Sequence, residues 1–97
     1  MNYRLVILPK AQAEMLDAVD WYELQQTKLG KRFISCVDKL FNVILKNPFQ
    51  FSEKTPPFRE ALLSKFPYLI IYQVNNNEII VYSVFHTSQN PESWQNI

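Results

Sequence analysis

The sequence predicts an α+β domain in which a helical hairpin packs on one face of a mainly antiparallel four-stranded sheet, in the order β-α-α-β-β-β. Three observations support this fold class. A short apolar run at the start precedes two segments whose apolar residues recur at helical spacing, and three strand-like runs fill the last part of the chain. Because the chain has 97 residues and shows neither repeats nor a linker, residues 1–97 are expected to form one domain.

The first half of the chain predicts one strand and two helices. Residues 3–8 are apolar and partly β-branched, and Pro9 both ends this strand and suits the first turn of a helix. The pattern is helical over 10–26 and again, more clearly, over 31–46. The short break over 27–30 predicts that the helices lie antiparallel. The predicted buried stripes are Ala11, Met15, Ala18, Val19 and Tyr22 in the first helix, and Phe33, Cys36, Val37, Leu40, Phe41 and Ile44 in the second.

The second half predicts a loop and a three-stranded meander. Residues 47–57 read as the loop, in which Phe49 and Phe51 are expected to pack their rings against the core. The strands are predicted over 58–63, 67–74 and 78–85, and the asparagines at 75–77 form a turn because they tolerate positive φ. Both faces of the last strand are apolar, which predicts a central place in the sheet.

Composition and charge narrow the function classes. The formal net charge is +1, so no global basic field indicates nucleic-acid binding. Cys36 is the only cysteine, which excludes an intrachain disulfide and predicts a small core residue. The sequence has no signal peptide and no apolar run near the roughly 20 residues that span a bilayer. A cytoplasmic protein without membrane association is therefore expected.

His86 is the natural candidate for acid–base chemistry, because it is the only histidine and follows a strand-like run. It is equally consistent with a histidine that caps the sheet. No generic catalytic or metal-binding signature occurs, so neither a metal nor a cofactor is expected. Asn90, Pro91 and Glu92 resemble a helix start. Trp94 would then pack back on the sheet as a terminal anchor.

Charged and aromatic side chains leave several interpretations open. Four acids on the first helix are expected to form a solvated face, although they could pair with a basic partner. Arg59 and Lys65 flank the first strand of the meander, where they could meet nucleic acid or carboxylates, or remain solvated. Aromatic residues near the meander suit core packing or base stacking. The four acids are Glu14, Asp17, Asp20 and Glu23.

Several segments taken together resemble a known family. These are LDAVDWYE at 16–23, LGKRFISCVDKLFNVILKNP at 29–48, FREALLSKFPYLIIYQV at 58–74 and IIVYSVFHTSQNPESW at 79–94. In this order the chain resembles the RelE/ParE superfamily of type II toxin–antitoxin toxins. It is most similar to the ParE-like branch, in which F-P-Y…Y and a strand ending in H-x-x-R-N/D-P are usual.

The resemblance implies a small toxin of the kind linked to plasmid stabilization, inhibited by a cognate antitoxin. The antitoxin's C-terminal segment would wrap the toxin, often through a helix and an added strand. RelE-like members cleave mRNA on the ribosome, whereas ParE-like members inhibit DNA gyrase. A degenerate, non-toxic binding module is a further alternative.

Residues at the RelE-type catalytic positions argue against ribonuclease activity. Where the resemblance leads one to expect basic side chains and a C-terminal tyrosine, this chain has Glu60, Leu62, Leu69, Gln89 and Gln95. Gln89 also replaces the arginine of the ParE-like ending. Action by protein binding is therefore favoured over chemistry, with Arg59 and Lys65 supplying charge and His86 and Trp94 ordering the C-terminal segment. The predicted target or antitoxin surface comprises Arg59, Lys65, His86, Gln89 and Trp94.

Overall fold

The computed structural model describes residues 2–88, and its elements follow the predicted order. The sheet has four strands in the order β1-β4-β3-β2, with β1 parallel to β4 and the other neighbours antiparallel. The α+β class and the β-α-α-β-β-β order are thus confirmed. The elements are β1 (Arg4–Ile7), α1 (Pro9–Gln25), α2 (Leu29–Lys46), β2 (Arg59–Leu62), β3 (Tyr68–Asn75) and β4 (Glu78–His86).

The two helices bury the predicted stripes against one face of the sheet. Cys36 and Leu40, together with Val19, are only half-buried but pack against the same core. Because each stripe meets apolar side chains of the central strands, one core joins both helices to the sheet. The helical side chains buried in the hydrophobic core are Ala11, Met15, Ala18, Tyr22, Phe33, Val37, Phe41 and Ile44.

β4 lies between β1 and β3, as the two apolar faces of its sequence predict. The register between β3 and β4 shifts at Tyr82, which is the extra residue of a β-bulge. A bulge moves the following side chains to the opposite face, so the core-facing positions change from Ile79 and Val81 before it to Val84 after it. Ser83, beside the bulge, is buried as well.

The connection between the helices is shorter than predicted. Helix α2 begins at Leu29, so Gly30 belongs to its first turn and not to the break. Gly30 is buried against α1, where a Cβ would lie 2.6 Å from the carbonyl oxygen of Val19. Lys28 reverses the chain with a φ of 72°, and the Glu23 carboxylate accepts the N–H groups of Lys28 and Gly30 at 2.8 and 3.1 Å. Glu23 therefore caps α2, which the expectation of a plain solvated acid missed.

Two side chains of the meander hold the loop over 47–58. The buried Tyr72 hydroxyl donates to the carbonyl of Pro48 at 2.6 Å, and Arg59 Nη1 donates to the carbonyl of Phe51 at 2.7 Å. Phe51 packs against the core as predicted. The same prediction was wrong for Phe49, which is 56 % exposed and packs against the Arg59 guanidinium, 5.1 Å from the ring centre, and not against the core.

Candidate functional site

An apolar groove lies between α2 and the end of β2, and we call it the lysine groove. It measures about 270 Å³. Val43 is 42 % exposed and Leu62 is 60 % exposed, so two large apolar side chains meet solvent here. Neither Lys39 nor Lys65 forms an ion pair with any of the described residues. The lining residues are Cys36, Lys39, Leu40, Val43, Leu62, Ser64 and Lys65.

The edge of the sheet beside this groove is partly covered. β2 pairs with β3 on one side, and on its other side the N–H of Glu60 already donates to the carbonyl of Ser52 at 3.1 Å. A strand added along β2 would have to displace this hydrogen bond. The exposed side chains of the groove are therefore a more accessible contact surface than the backbone of β2.

A second concave surface lies between α1 and the ends of β3 and β4, and we call it the acidic cleft. It also measures about 270 Å³. Asp17, Ala18 and Trp21 come from α1, and Trp21 follows Asp17 by four residues and Ala18 by three, so its side chain lies on the same side of the helix as theirs. The lining residues are Glu14, Asp17, Ala18, Trp21, Tyr68, Val84, Phe85 and His86.

Glu14 joins the floor of this cleft to the sheet. Its Oε1 accepts the Ser83 hydroxyl at 2.8 Å and the Val84 N–H at 3.1 Å, and its Oε2 accepts Lys10 Nζ at 3.1 Å. Since β1 ends at Ile7, opposite Val81, no strand of residues 2–88 continues beside β4 on that side. The carboxylate replaces the missing strand partner. Glu14 is thus a structural acid, and the expectation that it belongs to a solvated face was wrong.

His86 lines the acidic cleft at the end of β4. Its ring meets Tyr68 edge to face, with 5.1 Å between the centres. The Ser88 N–H donates to Nδ1 at 3.0 Å, and the Ser88 hydroxyl also lies 2.6 Å from Nδ1. In the neutral ring Nδ1 is therefore the acceptor, which leaves the proton on Nε2.

The surroundings of Tyr68 in the cleft change the pKa of its hydroxyl. Burial raises the pKa of the Tyr68 hydroxyl, and the nearby Tyr22 and Glu14 raise this pKa further. The effect of Glu14 is the smallest of the three, and this carboxylate also pairs with Lys10. The phenol therefore remains protonated at neutral pH and can serve as a hydrogen-bond donor.

The structure separates the side chains that the sequence nominated together. Lys65 lines the lysine groove, and His86 lines the acidic cleft. Arg59 lines neither, because its guanidinium holds the loop through Phe51 and Phe49. Gln89 and Trp94 lie outside the described residues, as does the predicted helix start at 90–92.

Sequence reasoning named His86 and, separately, the acids Glu14 and Asp17, but it did not place them together or include Trp21. Glu14, Asp17 and Trp21 recur at three- and four-residue steps, which would have placed them on one face of α1. The meeting of that face with the end of β4 depends on long-range packing, for which the sequence carries no signal. Among residues 2–88, no three metal-binding side chains converge as a metal site requires. Neither described helix combines the length and apolar character that a membrane crossing needs.

Fold and sequence together define the class as a RelE/ParE-type toxin. The family model described as "ParE toxin of type II toxin-antitoxin system, parDE" matches residues 5–91. The chain therefore belongs to the ParE toxin family, which confirms the resemblance inferred from its sequence. No curated protein matches the sequence at a significant level.

Two solved structures share the fold. One is described as the chromosomal ParDE toxin–antitoxin system from P. aeruginosa; it has a TM-score of 0.79 at 16 % identity, with 89 % of this chain and 97 % of that chain covered. The other is a mutant of the E. coli toxin RelE in the free state, with a TM-score of 0.55 at 17 % identity and coverage of 91 % and 86 %. The architecture is therefore common to both branches of the superfamily.

Proposed function

We propose that this chain is neutralised by a cognate antitoxin that binds the lysine groove, and that the free toxin inhibits DNA gyrase in the cytoplasm by protein–protein binding. The lysine groove carries the first part of the proposal. Its exposed Val43 and Leu62 lie beside Lys39 and Lys65, which form no ion pair within residues 2–88. Such a surface favours a segment that presents apolar side chains flanked by acids.

The proposal for the target rests on the ParE branch and on the chemistry of the acidic cleft. Membership of the ParE family supports a gyrase target through the resemblance described above. The main alternative is ribosome-dependent mRNA cleavage with His86 as acid or base. The Glu14 and Asp17 carboxylates share the cleft with His86, and they would repel the phosphate backbone of RNA. Protein binding is therefore better supported than cleavage.

The antitoxin site is tested with the product of the adjacent open reading frame. Isothermal titration should show that Val43→Ser and Leu62→Ser each weaken antitoxin binding by about tenfold, which corresponds to roughly 1.4 kcal/mol. Leu24→Ser is the control, because Leu24 is an apolar residue on α1 that is even more exposed and lies outside the groove. Equal losses in all three variants would contradict the assignment.

Reversing the charge of each groove lysine tests whether these residues attract an acidic antitoxin segment. Lys39→Glu and Lys65→Glu should each slow association several-fold, with a smaller effect at high salt, because steering by surface charge is screened. Lys31→Glu is the control, since Lys31 is an exposed lysine of α2 that does not line the groove. Unchanged association rates would show that an acidic antitoxin segment does not reach the lysines.

The target is tested in two assays. Induction without antitoxin should arrest growth, and normal growth would favour the non-toxic alternative. The purified chain should inhibit DNA supercoiling by gyrase, and no inhibition at high molar excess would reject gyrase as the target. In a toeprinting assay, ribosome-dependent cleavage that disappears in His86→Ala would favour the ribonuclease instead.

A further inference from the structure

We infer that the acidic cleft binds the guanidinium group of an arginine side chain presented by a protein partner. The cleft and the lysine groove share no lining residue. The inference therefore goes beyond the proposed antitoxin site and does not depend on which protein the toxin inhibits.

Asp17 provides the available negative charge. Glu14 already accepts hydrogen bonds from Ser83, Val84 and Lys10. Asp17 is exposed and forms no ion pair or hydrogen bond with any residue of the described chain. An incoming cation would thus pair with Asp17, since the Glu14 charge is already offset by Lys10.

Trp21 provides an aromatic surface next to that carboxylate. It follows Asp17 by one helical turn, and its side chain is 56 % exposed although it is one of the largest apolar groups in the chain. The indole packs edge to face against the ring of Tyr22, with 5.1 Å between the ring centres and 83° between the ring planes. This contact orients the indole and leaves it accessible to solvent. A planar cation can stack on an indole and bond to a carboxylate at the same time.

The size and polarity of the cleft select the ligand class. At about 270 Å³ the cleft is smaller than the roughly 300–1,000 Å³ typical of small-molecule sites, and it suits one inserted side chain. Glu14 also raises the pKa of Tyr68, secondary to the effect of burial, in keeping with a negative interior. Arginine fits better than lysine, because its guanidinium stacks on aromatic faces and forms two parallel hydrogen bonds to a carboxylate.

The test uses two probes of matched size and shape, one charged and one neutral. The full chain, labelled with ¹⁵N, is titrated at pH 8 with Nα-acetyl-arginine amide and, separately, with Nα-acetyl-citrulline amide, in which a neutral urea replaces the guanidinium. The arginine probe should shift the indole signal of Trp21 and the backbone signals of Asp17 and His86, with a dissociation constant on the order of millimolar for a single side chain. The citrulline probe should bind at least about fivefold more weakly.

Two exposed positions with matched controls locate the binding site. Asp17→Asn and Trp21→Ala should each weaken the arginine probe several-fold. Asp20→Asn and Leu24→Ala, an acid and an apolar residue of the same helix that do not line the cleft, should leave its affinity unchanged. Equal binding of both probes, or losses in the controls that match those of the test variants, would overturn the inference. Spectra that retain the wild-type dispersion exclude unfolding as the cause.

Discussion

The lysine groove and the acidic cleft are similar in volume but opposite in charge and in construction. The groove is formed by α2 and the end of β2, and its charged side chains do not pair with the rest of the described chain. The cleft is formed by α1 and β4, and Glu14 is bound into the sheet at its floor. One toxin surface is therefore open for binding without structural cost, whereas the other is coupled to the stability of the fold.

The largest expected effect on stability distinguishes the Glu14 carboxylate, which is bonded to the sheet, from the exposed lysines of the groove. Glu14→Ala should lower the free energy of unfolding by about 2–4 kcal/mol, because it leaves the buried Ser83 hydroxyl and the Val84 N–H without an acceptor. Lys39→Ala in the lysine groove should change it by less than about 0.5 kcal/mol. Urea denaturation measures both values. A loss in Glu14→Ala no larger than in Lys39→Ala would remove the structural distinction between the two surfaces.

Gly30→Ala tests the helical hairpin that separates the two surfaces. The new methyl group would lie 2.6 Å from the backbone oxygen of Val19, so α1 and α2 must move apart. We expect a loss of about 1–3 kcal/mol, as for other overpacked sites. Thermal and urea unfolding provide the measurement. Ser35→Ala, at an exposed position of α2, is the control, and similar stabilities for both variants would contradict the close approach.

The hydrogen bond of Tyr72, on the strand next to β2, should contribute to stability in a way that depends on pH. Tyr72→Phe leaves the Pro48 carbonyl without its hydrogen bond and should cost about 1–2 kcal/mol. Burial raises the pKa of Tyr72 to about 12, against a lowering effect of Arg59. A raised pKa in the folded state means that this stabilisation is complete below pH 10 and is lost as the pH rises through about 12. The free energy of unfolding, measured between pH 9 and about 12, should therefore fall more steeply with pH for the wild type than for Tyr72→Phe.

The smallest expected effect is a gain at the turn between the helices. Lys28 has a φ of 72°, a left-handed conformation that disfavours residues with a Cβ. Lys28→Gly removes this strain and should raise the free energy of unfolding by about 0.5–1 kcal/mol. The gain stays this small because glycine also has more conformational entropy to lose when the chain folds. Thr27→Gly serves as the control in the same denaturation experiment. Destabilisation by Lys28→Gly would show that the lysine side chain contributes a contact that outweighs the strain.

Local patterns predicted the elements well where their spacing was unambiguous. The apolar steps of α2, from Phe33 to Ile44, predicted both the helix and its buried face, and Asn76 adopts the positive φ expected of the asparagine turn, at 57°. The same kind of pattern failed for Phe49, since a ring can lower its free energy by packing on a guanidinium as well as in a core. An aromatic residue in this loop is therefore not enough to predict a core position: Phe51 packs in the core and Phe49 does not.

The candidate sites were less predictable than the fold. Lys65 and His86 were recognised by residue type, yet they belong to different surfaces, and Arg59 holds a loop instead. Glu14 gave no signal as a structural residue, because its partners Ser83 and Val84 lie about seventy positions away. Residue type predicts what a side chain can do, but only its neighbours decide whether it is free to do it.

The sequence alone determined the order of the elements, the buried stripes of the helices, the central place of β4 and the ParE family, because these depend on local periodicity and on ordered motifs. Only the tertiary structure decided that the acids of α1 divide among separate tasks. Within residues 2–88, Glu23 caps a helix, Glu14 takes the place of a strand partner of β4, and Asp17 lies beside Trp21 without an ion pair. The physical reason is that each acid meets partners far away in sequence or across a turn: for Glu14, β1 ends opposite Val81, and the Ser83 hydroxyl and the Val84 N–H beyond that point donate to its carboxylate.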